Sequence, residues 1–578
     1  MRQIVQASKG RYGSGDRGHG HGVCRYVRIR NTIVKRGPRR SARVAAWLAD
    51  DVHDSGTMPA GQNMRFSYTR CDSLPRLGWC AHLRRGSGVA RVYHGPWVET
   101  RDDWFVEGAW TGQFERGELD KALFLVGSGG VVRSGRAVFC TQTDMIERLY
   151  SIRAGDDLFM SNSMAFVLAM TGDEPDPCYP FYARKLRRFV IDGICRKRKV
   201  LRTRLGRRVE LHEYCQVAVS DDLRLVRIEK PAFRRPASFE DYRSMLHGVL
   251  GAVLENAASP ERRHRRYEGL AMVSGGYDSN AVAALLSGLG VREAMTIYDG
   301  RPGVDSGEEV ARLLGMAVRA YGRTDFRVTP GIDEAEFLSW PDQASDIVLA
   351  ACFEQLVGKV LVAGRYGDVV FDSDPSKMLN GFRLPRDHAV GGSRMLEFRL
   401  RCGFFNFNPL FTGGLHLSAM RGITTSHEMT PWRLEGSYDR PIPRRILEEA
   451  GVPRGMFGVT KRKSAYYVFR SLTDLSASGR ADFESYRRSM PRPGLLFRGL
   501  VKIRSTCETA ARATKRVWWT GGKTAESLIP LLFRVQAWDD MNFAMHWGQA
   551  RVRPRYGEAV KARAACAAGS ANTALRNG

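Results

Sequence analysis

The feature that most constrains this chain is Ser274-Gly275-Gly276-Tyr277-Asp278-Ser279, which follows an apolar run, Leu270–Val273, and opens an amphipathic segment, Ser279–Leu289. The run reads as a strand and the segment as a helix. Glycines at such a junction let the backbone approach an anion closely, and a helix N-terminus offers free N–H groups and the positive end of its dipole. Ser274 and Ser279 add hydroxyl donors. Asp278 is the odd member, because a carboxylate repels phosphate; it makes chemical sense as a ligand of Mg²⁺ that bridges to the phosphates. A plain strand-to-helix turn is the bland alternative, but the full set of residues in this context favours a phosphate loop.

The pattern around the loop alternates. Ala294–Tyr298 reads as a strand, Ser306–Leu314 as a helix ending at Gly315, 332–339 and 345–357 as helical segments, and Lys359–Ala363 as another strand. Such alternation predicts an α/β architecture with a doubly wound parallel sheet, and the remainder to about 550 reads as mostly helical. Ligands of such sheets sit beyond the carboxyl ends of the strands. Asp368, after Val360–Gly367, falls at such an end as Asp278 does, so the two are placed to share one Mg²⁺. A turn residue or helix cap is the other reading of Asp368.

Residues 274–279 resemble the signature of the N-type ATP pyrophosphatases, in which this loop binds the pyrophosphate portion of ATP; the Lys-Ser/Thr ending of a Walker loop is missing. Val360–Asp368 resembles the GEGSDE-type motif of asparagine synthetases, whose Asp, here Asp368, is a magnesium ligand. The first Glu of that motif falls on Arg365 and the last on Val369. The first Glu sits near the substrate in the family, so its replacement speaks against the usual aspartate-to-asparagine reaction. Tyr438–Ile446 leads through a helix to Phe457–Lys463, similar to the segment in which a basic loop returns a lysine to the phosphates. The resemblance implies Lys463 as catalytic, with Lys461 second, neutralising charge as the α–β phosphate bond breaks; a solvated basic run reads equally well. Ile297, within Thr296–Gly300, falls where the family lines its adenine pocket through backbone, and a plain strand end is equally compatible.

Residues 64–232 read as β-rich, with apolar runs at Ala122–Val126, Ala137–Cys140 and Gln216–Val219 between Gly, Asp and Ser turns. Ala154–Ser163 and the stretch from Asp192-Gly193-Ile194 to Pro231 resemble the glutaminase half of asparagine synthetases, an N-terminal-nucleophile (Ntn-type) α+β domain. Those glutaminases use a cysteine exposed as the N-terminal residue, whose α-amine is the base for its own thiol. Here residue 2 is Arg, Met64 is followed by Arg65, and Cys24, Cys71 and Cys80 are internal. The expectation is therefore no glutaminase activity, with ammonia or a substrate amine as nucleophile, as in the β-lactam- and macrolactam-forming relatives.

Composition bounds the partners. The formal charge is +28, and residues 1–49 hold a dozen Lys and Arg against one Asp. Such a balance attracts polyanions, so nucleic acid is weighed, but the excess gathers at the chain ends and an arginine-rich bias gives the same numbers. The eleven cysteines form no CxxC pair, which argues against zinc-ribbon or cluster chemistry and for free, mostly buried thiols. No run approaches a membrane span and no apolar signal core is present, so the expected compartment is the cytoplasm.

The domain reading is a disordered basic arm (1–63), a degenerate glutaminase-like domain (64–232), an asparagine synthetase-like ATP-pyrophosphatase domain (238–480), a helical extension (481–556) and a disordered tail (557–578). The functional expectation is an ATP- and Mg²⁺-dependent ligase that adenylates a small-molecule or peptide carboxylate and passes it to an amine. Ser274, Gly275, Gly276, Asp278 and Ser279 would hold the phosphates. Two rivals remain: a tRNA-modifying ATP pyrophosphatase, favoured by charge, and a non-catalytic nucleotide-binding relative, motivated by Arg365 and Val369. A homo-oligomer is left open.

Overall fold

The computed structural model describes residues 64–177, 199–300, 306–340, 346–372, 395–434, 438–458, 472–490 and 543–576, with a few single residues between them. The basic arm 1–63, Asp192–Ile194, Lys461, Lys463 and most of the 481–556 extension lie outside the described residues. The protein is mixed α/β, with three sheets.

Thirteen strands precede the linker at residues 229–237: β1 (Arg65–Arg70), β2 (Trp79–Arg84), β3 (Val89–His94), β4 (Glu99–Thr100), β5 (Trp104–Trp110), β6 (Leu125–Arg133), β7 (Arg136–Cys140), β8 (Leu149–Ala154), β9 (Asp157–Ser161), β10 (Lys199–Arg202), β11 (Arg208–His212), β12 (Gln216–Val219) and β13 (Leu225–Ile228). They form a seven-stranded sheet, β1-β3-β2-β9-β8-β11-β10, and a six-stranded sheet, β13-β12-β7-β6-β5-β4. Only the β1–β3 pair is parallel. The two sheets meet face to face through aromatic side chains. Trp79 of β2 lies edge-on to Phe105 of β5, centroids 4.9 Å apart, and stacks on Phe139 of β7 at 6.0 Å. Alternation follows this packing: in β3, Ala90, Val92 and His94 are buried while Arg91 is exposed. The run expected as a strand at Ala122–Val126 begins one only at Leu125; Gln216–Val219 coincides with β12.

A long helix, Phe239–Ala258, follows the linker. Ser238 Oγ accepts from the Asp241 N–H at 3.2 Å, and the Asp241 carboxylate reaches back to the Ala237 N–H at 2.8 Å, a reciprocal cap with Asp in the usual Glu position. The third sheet is entirely parallel and is built from β14 (Glu268–Val273), β15 (Glu293–Tyr298), β16 (Ala317–Gly322), β17 (Lys359–Val362) and β18 (Phe405–Phe407), in the order β16-β15-β14-β17-β18. Its inner strands are nearly continuous in burial, as a sheet covered on both faces requires. β16, on the edge, is mostly exposed, and β18 has only three residues, so neither gave a periodic signal.

The halves share an interior. The Tyr366 hydroxyl donates to the Asp144 carbonyl at 2.5 Å, Asn408 Nδ2 to the Asp144 carboxylate at 3.0 Å, and Ser163 Oγ to Glu397 at 2.7 Å. The terminal helix, Ala544–Arg576, packs Tyr556 on Phe166 with centroids 4.5 Å apart and ties it to Glu397 at 2.5 Å. It remains helical through 557–576, where a disordered tail was expected; the alanines that lowered complexity there are also the strongest helix formers. Six described cysteines are buried. No described helix is long and apolar enough to cross a membrane.

Candidate functional site

The loop Ser274–Tyr277 joins the end of β14 to the helix Asp278–Gly288. Asn280, wholly buried in the first turn of that helix, pins the loop from beneath. Its side-chain amide donates to the carbonyls of Ser274 at 2.6 Å and Gly276 at 2.9 Å, and its Oδ1 accepts from the Ser274 N–H at 3.3 Å. The hydroxyls of Ser274 and Ser279 share a hydrogen at 2.8 Å, and the Gly276 N–H donates to Ser274 Oγ at 3.2 Å. Both serines therefore face one another across the mouth of the loop.

Four glycines from other segments close on it. Gly307, at φ +68°, lies so near that a Cβ would stand 2.4 Å from the Ser274 carbonyl oxygen. Beyond β17, a Cβ on Gly364 would meet the Ser279 nitrogen at 2.3 Å, and one on Gly367 the Asp278 Cγ at 2.3 Å. Gly458, at φ +66°, donates its N–H to the Gly275 carbonyl at 2.9 Å, and a Cβ there would enter the Tyr277 ring, 2.2 Å from Cζ. Lys461 and Lys463, beyond Gly458, lie outside the described residues.

The acidic groups converge on an arginine. Arg440 Nη1 donates to Asp278 Oδ2, and the charge of Asp368, in the short helix Gly367–Val370, also acts on Arg440. Burial pulls the guanidinium's pKa down, but the Asp278 charge and hydrogen bond outweigh it, and the pKa lies above the ordinary arginine value. One turn on, Arg444 Nη2 donates to the Tyr277 hydroxyl at 2.6 Å and Nη1 to Asp439 at 2.7 Å. Tyr438 packs on Tyr277 with ring centroids 5.0 Å apart, and its hydroxyl accepts the Tyr277 backbone N–H; burial pushes its pKa up to about 12.

Asp278, Ser279, Ser274, Gly275, Gly276 and Asp368 thus belong to one neighbourhood. The other expected residues fall differently. Arg365 donates to buried Asp346 at 2.9 Å, and Val369 packs into the core. Ile297 is buried in the apolar cluster on one face of the parallel sheet, so only its backbone is open to a ligand role. Asn280, Arg440, Arg444 and Gly458 were not singled out from sequence. An asparagine two positions into an otherwise apolar helix was the one local hint; the rest is long-range, Arg440 lying 162 residues from Asp278.

Two carboxylates and a cradle of hydroxyl and amide donors are the hard oxygen chemistry that suits Mg²⁺ bound together with phosphates rather than in an all-protein cage. No group of three or more metal-ligating side chains occurs among the described residues. No protein-family model matches the chain, and no curated protein matches it.

Proposed function

We propose that this protein is an ATP-dependent, amide-forming ligase of the asparagine synthetase type, activating a substrate carboxylate as its adenylate with release of pyrophosphate. The observation that carries the reading is the closure of four separate glycines on the Ser274–Ser279 loop at the carboxyl end of β14. Such close approaches leave the loop's backbone and hydroxyls as the lining of a narrow anion site. Strand order supports it. From β14 the chain moves outward to β15 and β16 on one side, then to β17 and β18 on the other, so the crevice where the order reverses lies between β14 and β17. Doubly wound sheets bind ligands there, and Asp278, Gly364 and Gly367 meet at that point.

In this mechanism the substrate carboxylate attacks the α-phosphorus of ATP, pyrophosphate leaves, and an amine captures the acyl group to form the amide and free AMP. Ser274, Gly275, Gly276 and Ser279 cradle the departing pyrophosphate, with Asn280 holding the loop rigid so that little reorganisation accompanies the reaction. Asp278 and Asp368 would hold Mg²⁺, which supplies positive charge to the phosphates when bound. Lys463, with Lys461 second, is assigned to the α–β bridge by the family resemblance. Arg365 in place of the motif's first Glu speaks against aspartate as the acid. The two-sheet N-terminal half is read as a degenerate Ntn-type domain that does not hydrolyse glutamine. Met64 stands buried ahead of β1, and Cys71 and Cys80 are buried.

Equilibrium dialysis with labelled ATP and Mg²⁺ tests the site. Saturable binding by the wild type that Asp278→Ala and Ser279→Ala weaken by at least about tenfold supports the assignment. Binding unaffected by both substitutions would place the nucleotide elsewhere.

A further inference from the structure

Arg440 immediately precedes the helix Pro441–Glu449 and is only 3% exposed. It holds Asp278, is acted on by Asp368, and stands over the Tyr438 ring at 5.1 Å. Its position relative to the loop is fixed from both sides. Tyr438 takes the Tyr277 N–H, and Arg444, one helical turn beyond, takes the Tyr277 hydroxyl. These contacts tie the loop to the start of the helix that follows Arg440.

The two carboxylates assigned to Mg²⁺ are thus already under the influence of a fixed, permanently charged cation. A divalent ion and a guanidinium cannot occupy the same Asp278 oxygen. The ion carries twice the charge on a far smaller radius and takes the carboxylate when it arrives with a polyphosphate. The displaced guanidinium remains tethered beside the start of the Asp278–Gly288 helix, where the anion to be bound sits, and its planar fork matches phosphate oxygens.

We propose that Arg440 is a phosphate-binding residue of this site, held on Asp278 in the free protein and passed to the polyphosphate when a divalent cation takes the carboxylates. The inference rests on the reading of the loop as a nucleotide site and adds to it an internal cation that occupies the metal position until substrate comes.

The experiment uses the full-length protein and Mn²⁺, whose free ion is read directly by electron paramagnetic resonance. Without nucleotide, Arg440→Gln should bind Mn²⁺ at least about tenfold more tightly than the wild type, and Asp278→Asn in the same chain should abolish the gain. With Mg²⁺ present, the same variant should bind ATP at least about tenfold more weakly. Arg440→Lys keeps the charge but loses the fork; it should leave Mn²⁺ affinity near wild type while still weakening ATP, and it decides the matter if the Gln variant does not fold. Unchanged Mn²⁺ affinity in Arg440→Gln, or wild-type ATP affinity in Arg440→Lys, overturns the proposal. A wild type that binds no ATP removes the nucleotide reading instead, while the Mn²⁺ comparison still reports whether Arg440 competes for the carboxylates.

Discussion

Two arginine–carboxylate pairs, chemically alike, sit in different surroundings. Arg399 holds Glu107 at 2.9 Å with both side chains at or below 1% exposure, sealed between the N-terminal sheets and the parallel sheet. Arg440 holds Asp278 with the aspartate side chain 19% exposed, at the mouth of a glycine-lined loop. The first pair joins the halves, and Glu147, 3.2 Å from the same guanidinium, is pushed up to about 7 by burial. The second is partly open to solvent. On the exchange proposed above, equal chemistry under unequal access separates a fixed joint from an exchangeable one.

Breaking the sealed pair should have the largest effect on stability. Arg399→Met leaves Glu107 charged and buried and should cost about 3–5 kcal/mol, read as a lowered denaturation midpoint, while the folded fraction keeps its ATP affinity. If ATP binding fell in the folded fraction instead, the two regions would not be independent.

The sealed region should also titrate. Glu397, wholly buried between Ser163 and Tyr556, is pushed up to about 7 by burial. Its protonated form is the one that the fold prefers, so its contribution is fully present below the unfolded carboxyl value near 4.5 and is lost as pH rises through 7. Glu397→Gln should flatten the pH dependence of the unfolding free energy between those limits, by up to about 3 kcal/mol. Glu213, held down to about 2 despite its burial by Arg148 and Lys199, acts oppositely: its contribution is present above the unfolded value and disappears as pH falls toward 2.

At the loop, function should fail before stability does. Asn280→Ala removes the three hydrogen bonds that shape the loop and should cost about 1–3 kcal/mol, with ATP binding lost in protein that still folds. Gly364→Ala places a methyl against the Ser279 backbone nitrogen. Because backbone must shift to admit it, the stability cost should be at least about 1–3 kcal/mol, with ATP affinity down at least tenfold. Wild-type binding in either variant would detach the loop from the nucleotide.

The same comparison shows what a sequence displays. The Ser274–Ser279 loop was legible because its chemistry is local: a strand, two glycines, hydroxyls and a helix start within a dozen residues. The strands at β14, β15 and β17 were legible because inner parallel strands are continuously apolar. Edge strand β16 was not, because exposure removes the pattern, and the alanines of 557–576 read as low complexity rather than as helix. Glu107, Glu147 and Glu397 gave no sign of burial, since a glutamate is normally solvated and only distant Arg399, Ser163 and Tyr556 make their burial tolerable. Arg440 was visible as a letter but not as a partner of Asp278, because that pairing exists only once the helix Pro441–Glu449 packs against the loop.

The most direct test of the ligase reading is the nucleotide product. The protein is incubated with α-labelled ATP, Mg²⁺, pools of carboxylic acids and either ammonium or free amines, and the label is resolved as AMP or ADP. AMP and pyrophosphate formed only with a particular acid, and absent in Asp278→Ala and Asp368→Ala, are the predicted result. ADP formation, or AMP formation that survives both substitutions, would contradict it.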